Sequence, residues 1–205
     1  NLLKETGEPN FQNVTREAQL FRKGNETDRK IGGIGDTGAG IAWADYDNDG
    51  DQDIFLTTLD RNILLNNNEG SFVNVSKNAG LGNTLGWSSS AVFFDADNDG
   101  WLDLYVGNYA IWSPLSDLWC SLDSKTKVYC PPEMYTGLPS KFYHNNGDGT
   151  FSDYTTKAGF LPAPGKSLGV ALMDYNNDGW LDLAVANDGE RDLLYKINPG
   201  GVLEQ

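Results

Sequence analysis

Three copies of one acidic nonapeptide carry the chemistry open to this chain: Asp45-Tyr-Asp47-Asn-Asp49-Gly50-Asp51-Gln-Asp53, Asp95-Ala-Asp97-Asn-Asp99-Gly100-Trp101-Leu-Asp103 and Asp174-Tyr-Asn176-Asn-Asp178-Gly179-Trp180-Leu-Asp182. Side-chain oxygens recur at loop positions 1, 3, 5 and 9, a glycine at position 6 permits a sharp turn, and the carbonyl of residue 7 can supply one more donor. An all-oxygen set of this kind suits a hard divalent cation, and three Ca²⁺ sites are expected. Carboxylates packed so closely repel one another unless a cation neutralises them.

An EF-hand begins almost identically but needs a bidentate Glu at position 12 on a following helix. Position 12 here is Leu56, Val106 or Val185, and the runs that follow position 9, such as Ile54-Phe-Leu-Thr and Leu104-Tyr-Val-Gly, read as strands. A solvated acidic turn explains one such loop more easily than three in register.

The elements that must hold these loops form a larger repeat. In the first copy, Ile41-Ala-Trp-Ala44 reads as a strand entering the loop and Asp53–Thr57 as the strand leaving it. Asn62–Leu65 follows as a third strand and Phe72–Val75 as a fourth, beyond a turn at Asn66–Gly70. The second copy repeats this at Ala91–Phe94, Asp103–Val106, Lys141–His144 and Phe151–Tyr154, and the third at Val170–Met173, Asp182–Val185, Asp192–Lys196 and Val202–Glu204. The loops recur at intervals of 50 and 79 residues, the excess matching an insertion near 112–140.

Four short strands in a unit of about 50 residues is the arithmetic of a propeller blade. The expected fold is all-β, with propeller-type repeats of four-stranded antiparallel blades: blade one at 39–76, blade two at 88–156 and blade three at 168–205. Phe11-Gln-Asn-Val-Thr15 parallels Phe72-Val-Asn-Val-Ser76 and Phe151-Ser-Asp-Tyr-Thr155, so residues 11–20 read as a leading strand left over from a preceding blade. Closed propellers use four to eight blades. Three blades and a leading strand imply either a piece of a longer propeller or an open stack whose ends are covered by something else, identical chains joined head to tail included.

Composition excludes several classes of partner. With 29 acidic and 15 basic residues the formal charge is −14, which three Ca²⁺ would bring to −8. No Lys/Arg cluster offers a surface to nucleic acid or anionic lipid, and no apolar run approaches the roughly 20 residues of a membrane span. The chain begins with Asn1, which reads as a processed or excised segment. Cys120 and Cys130 lie in the insertion without the spacing or His partners of a zinc site, which favours a disulfide over two unrelated buried thiols. Sequons occur at Asn13, Asn25 and Asn74.

The conjunction of Asp-Tyr-Asp-Asn-Asp-Gly, Asn145-Asn-Gly-Asp-Gly-Thr-Phe151 and Lys157-Ala-Gly-Phe160 resembles the FG-GAP/VCBS repeats, especially those of the UnbV/ASPIC and cartilage acidic protein group. Tyr129-Cys-Pro-Pro-Glu-Met-Tyr-Thr-Gly-Leu-Pro139 also resembles that group's cysteine-containing insertion. The resemblance implies a calcium-stabilised β-propeller of the integrin α-subunit type, usually extracellular, with metal in the loop joining the first two strands. By motif match the ligands are Asp45, Asp47, Asp49 and Asp53; Asp95, Asp97, Asp99 and Asp103; and Asp174, Asn176, Asp178 and Asp182, with main-chain oxygens from Asp51, Trp101 and Trp180.

Other constellations carry less. Gly33-Ile-Gly35-Asp-Thr-Gly38 satisfies GxGxxG but neither follows a convincing strand nor opens a helix, so a flexible inter-blade connection is expected. Gly40 matches Gly169 in the third repeat. His144 is the one histidine, and with no nucleophile elbow it reads as a hairpin residue, not a catalytic base. Trp87, Trp112, Trp119, Tyr129 and Tyr135 offer either loop packing or a sugar-stacking surface. The expectation is a non-enzymatic, extracellular, calcium-binding structural or adhesive protein that assembles with itself. The alternatives are a module recognising glycan or protein, and an accessory domain of a larger secreted protein.

Overall fold

In the computed structural model, which describes residues 38–81, 86–113, 115–160, 165–199 and 202–204, the described residues form twelve strands and one 3₁₀ turn at Pro132–Met134. Strands β1 (Gly38–Ala44), β2 (Asp53–Thr58), β3 (Ile63–Asn68) and β4 (Ser71–Asn74) make the first sheet. Strands β5 (Ser88–Phe94), β6 (Asp103–Asn108), β7 (Lys141–Asn145) and β8 (Phe151–Asp153) make the second, and β9 (Ser167–Met173), β10 (Asp182–Asn187), β11 (Leu193–Asn198) and β12 (Val202–Glu204) the third. Each sheet is an antiparallel meander in sequence order, which makes it a four-stranded blade. The expected leading strand at 11–20, the sequons at Asn13 and Asn25 and residues 33–37 of the glycine motif lie outside the described residues.

Register shows how closely the units repeat. Position 9 of each acidic loop opens the second strand and pairs with the last residue of the first, as Ala44 with Asp53, Phe94 with Asp103 and Met173 with Asp182. One expected turn is tighter than the residues suggested. Asn66–Asn68 continue β3, and the connection to β4 is Glu69-Gly70, with φ of 50° and 88°. Two positive φ values suit a two-residue hairpin, while Asn66 and Asn67 stay extended because both bond to the acidic loop.

The core lies between blades, and strand alternation decides which side chains enter which layer. Ala42, Ala44, Phe55 and Leu64 of blade one pack against Phe93, Leu104, Val106 and Tyr143 of blade two. The opposite face of blade two presents Phe94, Tyr105 and Phe142 to Leu183, Val185, Tyr195 and Ile197 of blade three. Aromatic rings tie these layers together: Phe55 meets Phe93 edge-on at 6.2 Å, and Phe160 lies 5.3 Å from Tyr105 and 4.9 Å from Tyr195. Each large side chain buried in this way contributes about 1.5–3 kcal/mol.

The turn after each fourth strand locks one blade to the next. Ala79 N–H donates to Val75 O and Leu81 N–H to Ser76 O, and the same pair recurs from Ala158 to Tyr154 and from Phe160 to Thr155. Gly80, at φ 82°, lets Phe151 N–H of blade two reach Ala79 O at 2.9 Å. A Cβ there would meet Phe151 O at 2.7 Å, so the approach requires glycine.

Candidate metal centres

The acidic loops join first to second strands, so all three sit at one end of their blades. Asn48 of loop one donates to Gly100 O of loop two at 3.1 Å, placing these neighbours side by side. Residue 4 takes a left-handed conformation in each loop, with φ of 58°, 59° and 59° at Asn48, Asn98 and Asn177. Asn adopts this region more readily than other non-glycine residues. Gly50, Gly100 and Gly179 follow at 95°, 91° and 88°.

Hydrogen bonds explain the conserved spacing within this chain. The N–H groups of residues 5 and 6 donate to the two oxygens of residue 1, at 3.1 and 3.0 Å from Asp49 and Gly50 to Asp45. The same bonds run from Asp99 and Gly100 to Asp95, and from Asp178 and Gly179 to Asp174. Residue 5 in turn accepts from the N–H of residue 7, at 2.9 Å from Asp51, 2.8 Å from Trp101 and 3.0 Å from Trp180. Residue 9 is the buried anchor: Asp53, Asp103 and Asp182 are at most 1 % exposed. Each accepts from the N–H of residue 2 and from a third-strand N–H, that of Asn67, Asn145 or Ile197, at 2.8–2.9 Å. The acids therefore hold the turn in shape while keeping lone pairs for a cation.

Fit to a hard cation is tested most directly in loop one. One oxygen from each of Asp45, Asp47 and Asp53 falls within a 4.8 Å group, and Asp47 Oδ1 is buried without a hydrogen-bond partner. A buried unpaired carboxylate oxygen among like charges is a position that a cation satisfies. Asp95, Asp97 and Asp99 make a comparable group in loop two. Among the described residues no such three-acid group forms in loop three, where Asn176 replaces an acid and donates its amide to Asp178 at 2.8 Å. Asp51, which supplies a fifth acid to loop one, turns its carboxylate onto the N–H of Glu69 at 2.7 Å.

Electrostatics differ between the loops. Burial pushes the carboxyl of Asp53 up to about 6. Burial also pushes Asp103 up to about 6, against the pull of the Asn145 N–H and of His144. Asp47 is raised by burial and then by its neighbour Asp49. Asp178 is held below the usual carboxylate range by the Trp180 N–H, the Asn176 amide and Lys196.

One contributor was not legible as such in the sequence. His144 Nδ1 lies 3.1 Å from Asp103 Oδ1 and 3.7 Å from Asp97 Oδ2, so the hairpin residue is also part of the surroundings of loop two. The equivalent third-strand residue is Asn66 in blade one, bonded to Asp47 at 2.7 Å, and Lys196 in blade three, 3.5 Å from Asp178. The signal was the register: each follows the residue paired with Ile54, Leu104 or Leu183. Cys120 and Cys130 are joined in a disulfide with Cα atoms 5.2 Å apart.

Asn74 of the remaining sequon has a structural part. Its Oδ1 accepts from Ser76 N–H and, at 2.7 Å, from Ser76 Oγ, while Ser76 Oγ accepts from Leu64 N–H at 2.8 Å. Asp153 and Thr155 form the same arrangement with Phe142 N–H in blade two, where no sequon exists.

The FG-GAP-like repeat family matches residues 57–106 and 134–185. Cartilage acidic protein 1 of Homo sapiens is 34 % identical over 79 residues, and that of Xenopus tropicalis 36 % over 75. These alignments cover 38 % and 36 % of this chain but 12 % and 11 % of the relatives, so the chain matches only a small part of their length. Among solved structures, an Agrocybe aegerita lectin that recognises non-reducing terminal N-acetylglucosamine aligns with 80 % of this chain and 36 % of its own, at 18 % identity and a TM-score of 0.39. With three blades of one design and the family matched across them, the chain belongs to the FG-GAP-like repeat proteins.

Proposed function

We propose that this chain is an extracellular, non-enzymatic structural module whose blades are made rigid by Ca²⁺ in three acidic loops and which assembles by adding blade to blade. In this reading Asp45, Asp47, Asp49 and Asp53, Asp95, Asp97, Asp99 and Asp103, and Asp174, Asn176, Asp178 and Asp182 hold the ions, with the carbonyls of Asp51, Trp101 and Trp180. The bound ion cancels repulsion that amounts to about 4 kcal/mol per like-charged pair 4 Å apart at an effective dielectric near 20. The Cys120–Cys130 disulfide supports an oxidising compartment, where millimolar calcium suffices for sites of modest affinity.

The observation that carries assembly is the face of blade three. Ala42, Ala44, Phe55 and Leu64 of blade one correspond by register to Val92, Phe94, Tyr105 and Phe142 of blade two, and both sets pack on the following blade. Their counterparts in blade three are Ala171, Met173, Ala184 and Leu194, of which Met173 and Leu194 are 45 % and 41 % exposed. Gly40 shows the same asymmetry. A Cβ there would meet Ser89 O of blade two at 2.5 Å, whereas its counterpart Gly169 has nothing within 4 Å. At the other end Ile41 and Trp43 of blade one are each 54 % exposed. Apolar faces on both outer sides of the three described blades suit contact with a further blade, and head-to-tail contact between copies, which closes to a ring or extends as a filament, is the source proposed.

Light scattering on the purified chain tests this. Discrete oligomers or polymers in millimolar Ca²⁺, dispersed by EGTA and by Leu194→Glu, are expected. A monomer of unchanged size under all three conditions contradicts self-assembly.

A further inference from the structure

A group of aromatic side chains from the insertion and from the ends of β5 and β6 takes no part in either interblade core. Trp87, Tyr109, Trp112 and Tyr135 are half-buried and absent from both packed layers, and Tyr129 is fully exposed. Together with Asp117 and Lys127 they line an open cavity of about 660 Å³, within the 300–1,000 Å³ range of small-molecule sites. The cavity lies at the far end of the blades from the acidic loops, beside the residues that follow β2 and β6 and precede β5. Trp119 is not among its lining residues.

The walls are rigid by construction. Trp87 meets Tyr109 edge-on at 4.8 Å and Trp112 at 6.2 Å, with the rings at about 60° to one another, so each braces the next. Tyr109 N–H donates to Trp87 O and its hydroxyl to Asp188 at 2.6 Å. The Cys120–Cys130 disulfide closes the loop that carries Lys127 and Tyr129.

Polar groups on one wall choose the ligand. Asp117 accepts from Trp112 Nε1 at 3.1 Å and is paired with Lys127. The pair cancels in charge yet leaves N–H donors on Lys127 and lone pairs on Asp117. A hydroxyl that both donates and accepts fits such a pair, and the apolar face of a sugar ring fits an aromatic ring. A quaternary ammonium also suits an aromatic enclosure, but it has neither an N–H to give Asp117 nor a lone pair to offer Lys127, so it leaves the polar wall of the cavity unmatched. The overall charge of −14 opposes an anion.

We propose that this cavity is a binding site for a neutral saccharide, stacked on Trp112 and Tyr129 and hydrogen-bonded by Asp117 and Lys127. The site is independent of the calcium loops and of the assembly faces.

The test is a glycan array with fluorescently labelled protein in Ca²⁺. It is followed by calorimetry with the best neutral oligosaccharide and with choline, on the wild type, Trp112→Ala, Tyr129→Ala and Lys127→Met. Tyr129 is exposed, so its replacement leaves the fold untouched and separates loss of binding from loss of structure. Retention of neutral glycans, with affinity lowered about tenfold by each aromatic replacement and reduced by Lys127→Met, supports the site. An array without neutral glycans, preferential binding of choline, or affinity unchanged in both aromatic variants overturns it.

Discussion

Lys196 carries its ammonium to within 3.5 Å of Asp178 Oδ2, at the strand position that holds His144 beside Asp97 in blade two and Asn66 against Asp47 in blade one. Loop three thus has a cation of its own and, with Asp174, Asp178 and Asp182 alone, two acids fewer than loop one. It is expected to bind Ca²⁺ more weakly than loop one. Lys196→Asn should raise the affinity of loop three by up to about fivefold, the worth of a partly exposed ion pair. Calorimetry on Asp49→Ala, which removes loop one, and Asp178→Ala, which removes loop three, assigns the sites. Tighter binding in loop three contradicts the ordering.

The raised carboxyls make a pH prediction. Asp53 and Asp103 titrate near 6 in the folded chain, against an ordinary value of 3.8. Between these values the native state holds more protons than the unfolded one, so metal-free stability falls as pH rises from about 4 to about 6 and stays low above it. Calcium favours the ionised form and offsets that loss. The gap in Tm between Ca²⁺ and EGTA samples should therefore widen from pH 4.5 to pH 7.5. A gap that is constant or narrows over this range contradicts the burial of these acids beside the metal.

Ser76 is held at 7 % exposure between Asn74 and the N–H of Leu64. Ser76→Ala leaves that buried N–H without an acceptor and should cost about 1–3 kcal/mol in denaturant unfolding. Asn74→Asp should be close to neutral, since Asp153 performs the same task in blade two. A larger loss from Asn74→Asp than from Ser76→Ala contradicts this account.

Blade contact is tested by a pair of glycines. Gly40→Ala drives a methyl toward Ser89 O, 2.5 Å away, and should destabilise the chain by about 1–3 kcal/mol, as overpacking does. Gly169→Ala meets nothing and should leave the unfolding of the separate chain nearly unchanged. Equal losses at both positions contradict an open face on blade three.

Much of this was readable because the repeat reports on itself. The alternation in Phe93-Phe94 and Leu104-Tyr105-Val106 marks a sheet buried on both faces, and the nine-residue loops fix where the first strand ends and the second begins. The hairpin at Glu69-Gly70 is not legible locally, because Asn66 and Asn67 resemble turn residues while their bonds to Asp47 and Asp53 are tertiary. The places of His144 and Lys196 beside the loops are hidden for the same reason: pairing across 41 and 18 residues, as His144 with Asp103 and Lys196 with Asp178, leaves no local pattern. The aromatic cavity depends on how the insertion folds back over Trp87, which composition alone does not specify.

Ca²⁺ in the acidic loops is proposed to make the blades one rigid body, so its removal should be felt by the whole chain. Calorimetric titration of chelator-treated chain with Ca²⁺, paired with melting curves in Ca²⁺ and in EGTA, is the decisive measurement. Up to three bound ions per chain and a higher Tm with calcium are expected. No heat of binding and superimposable melting curves would contradict it.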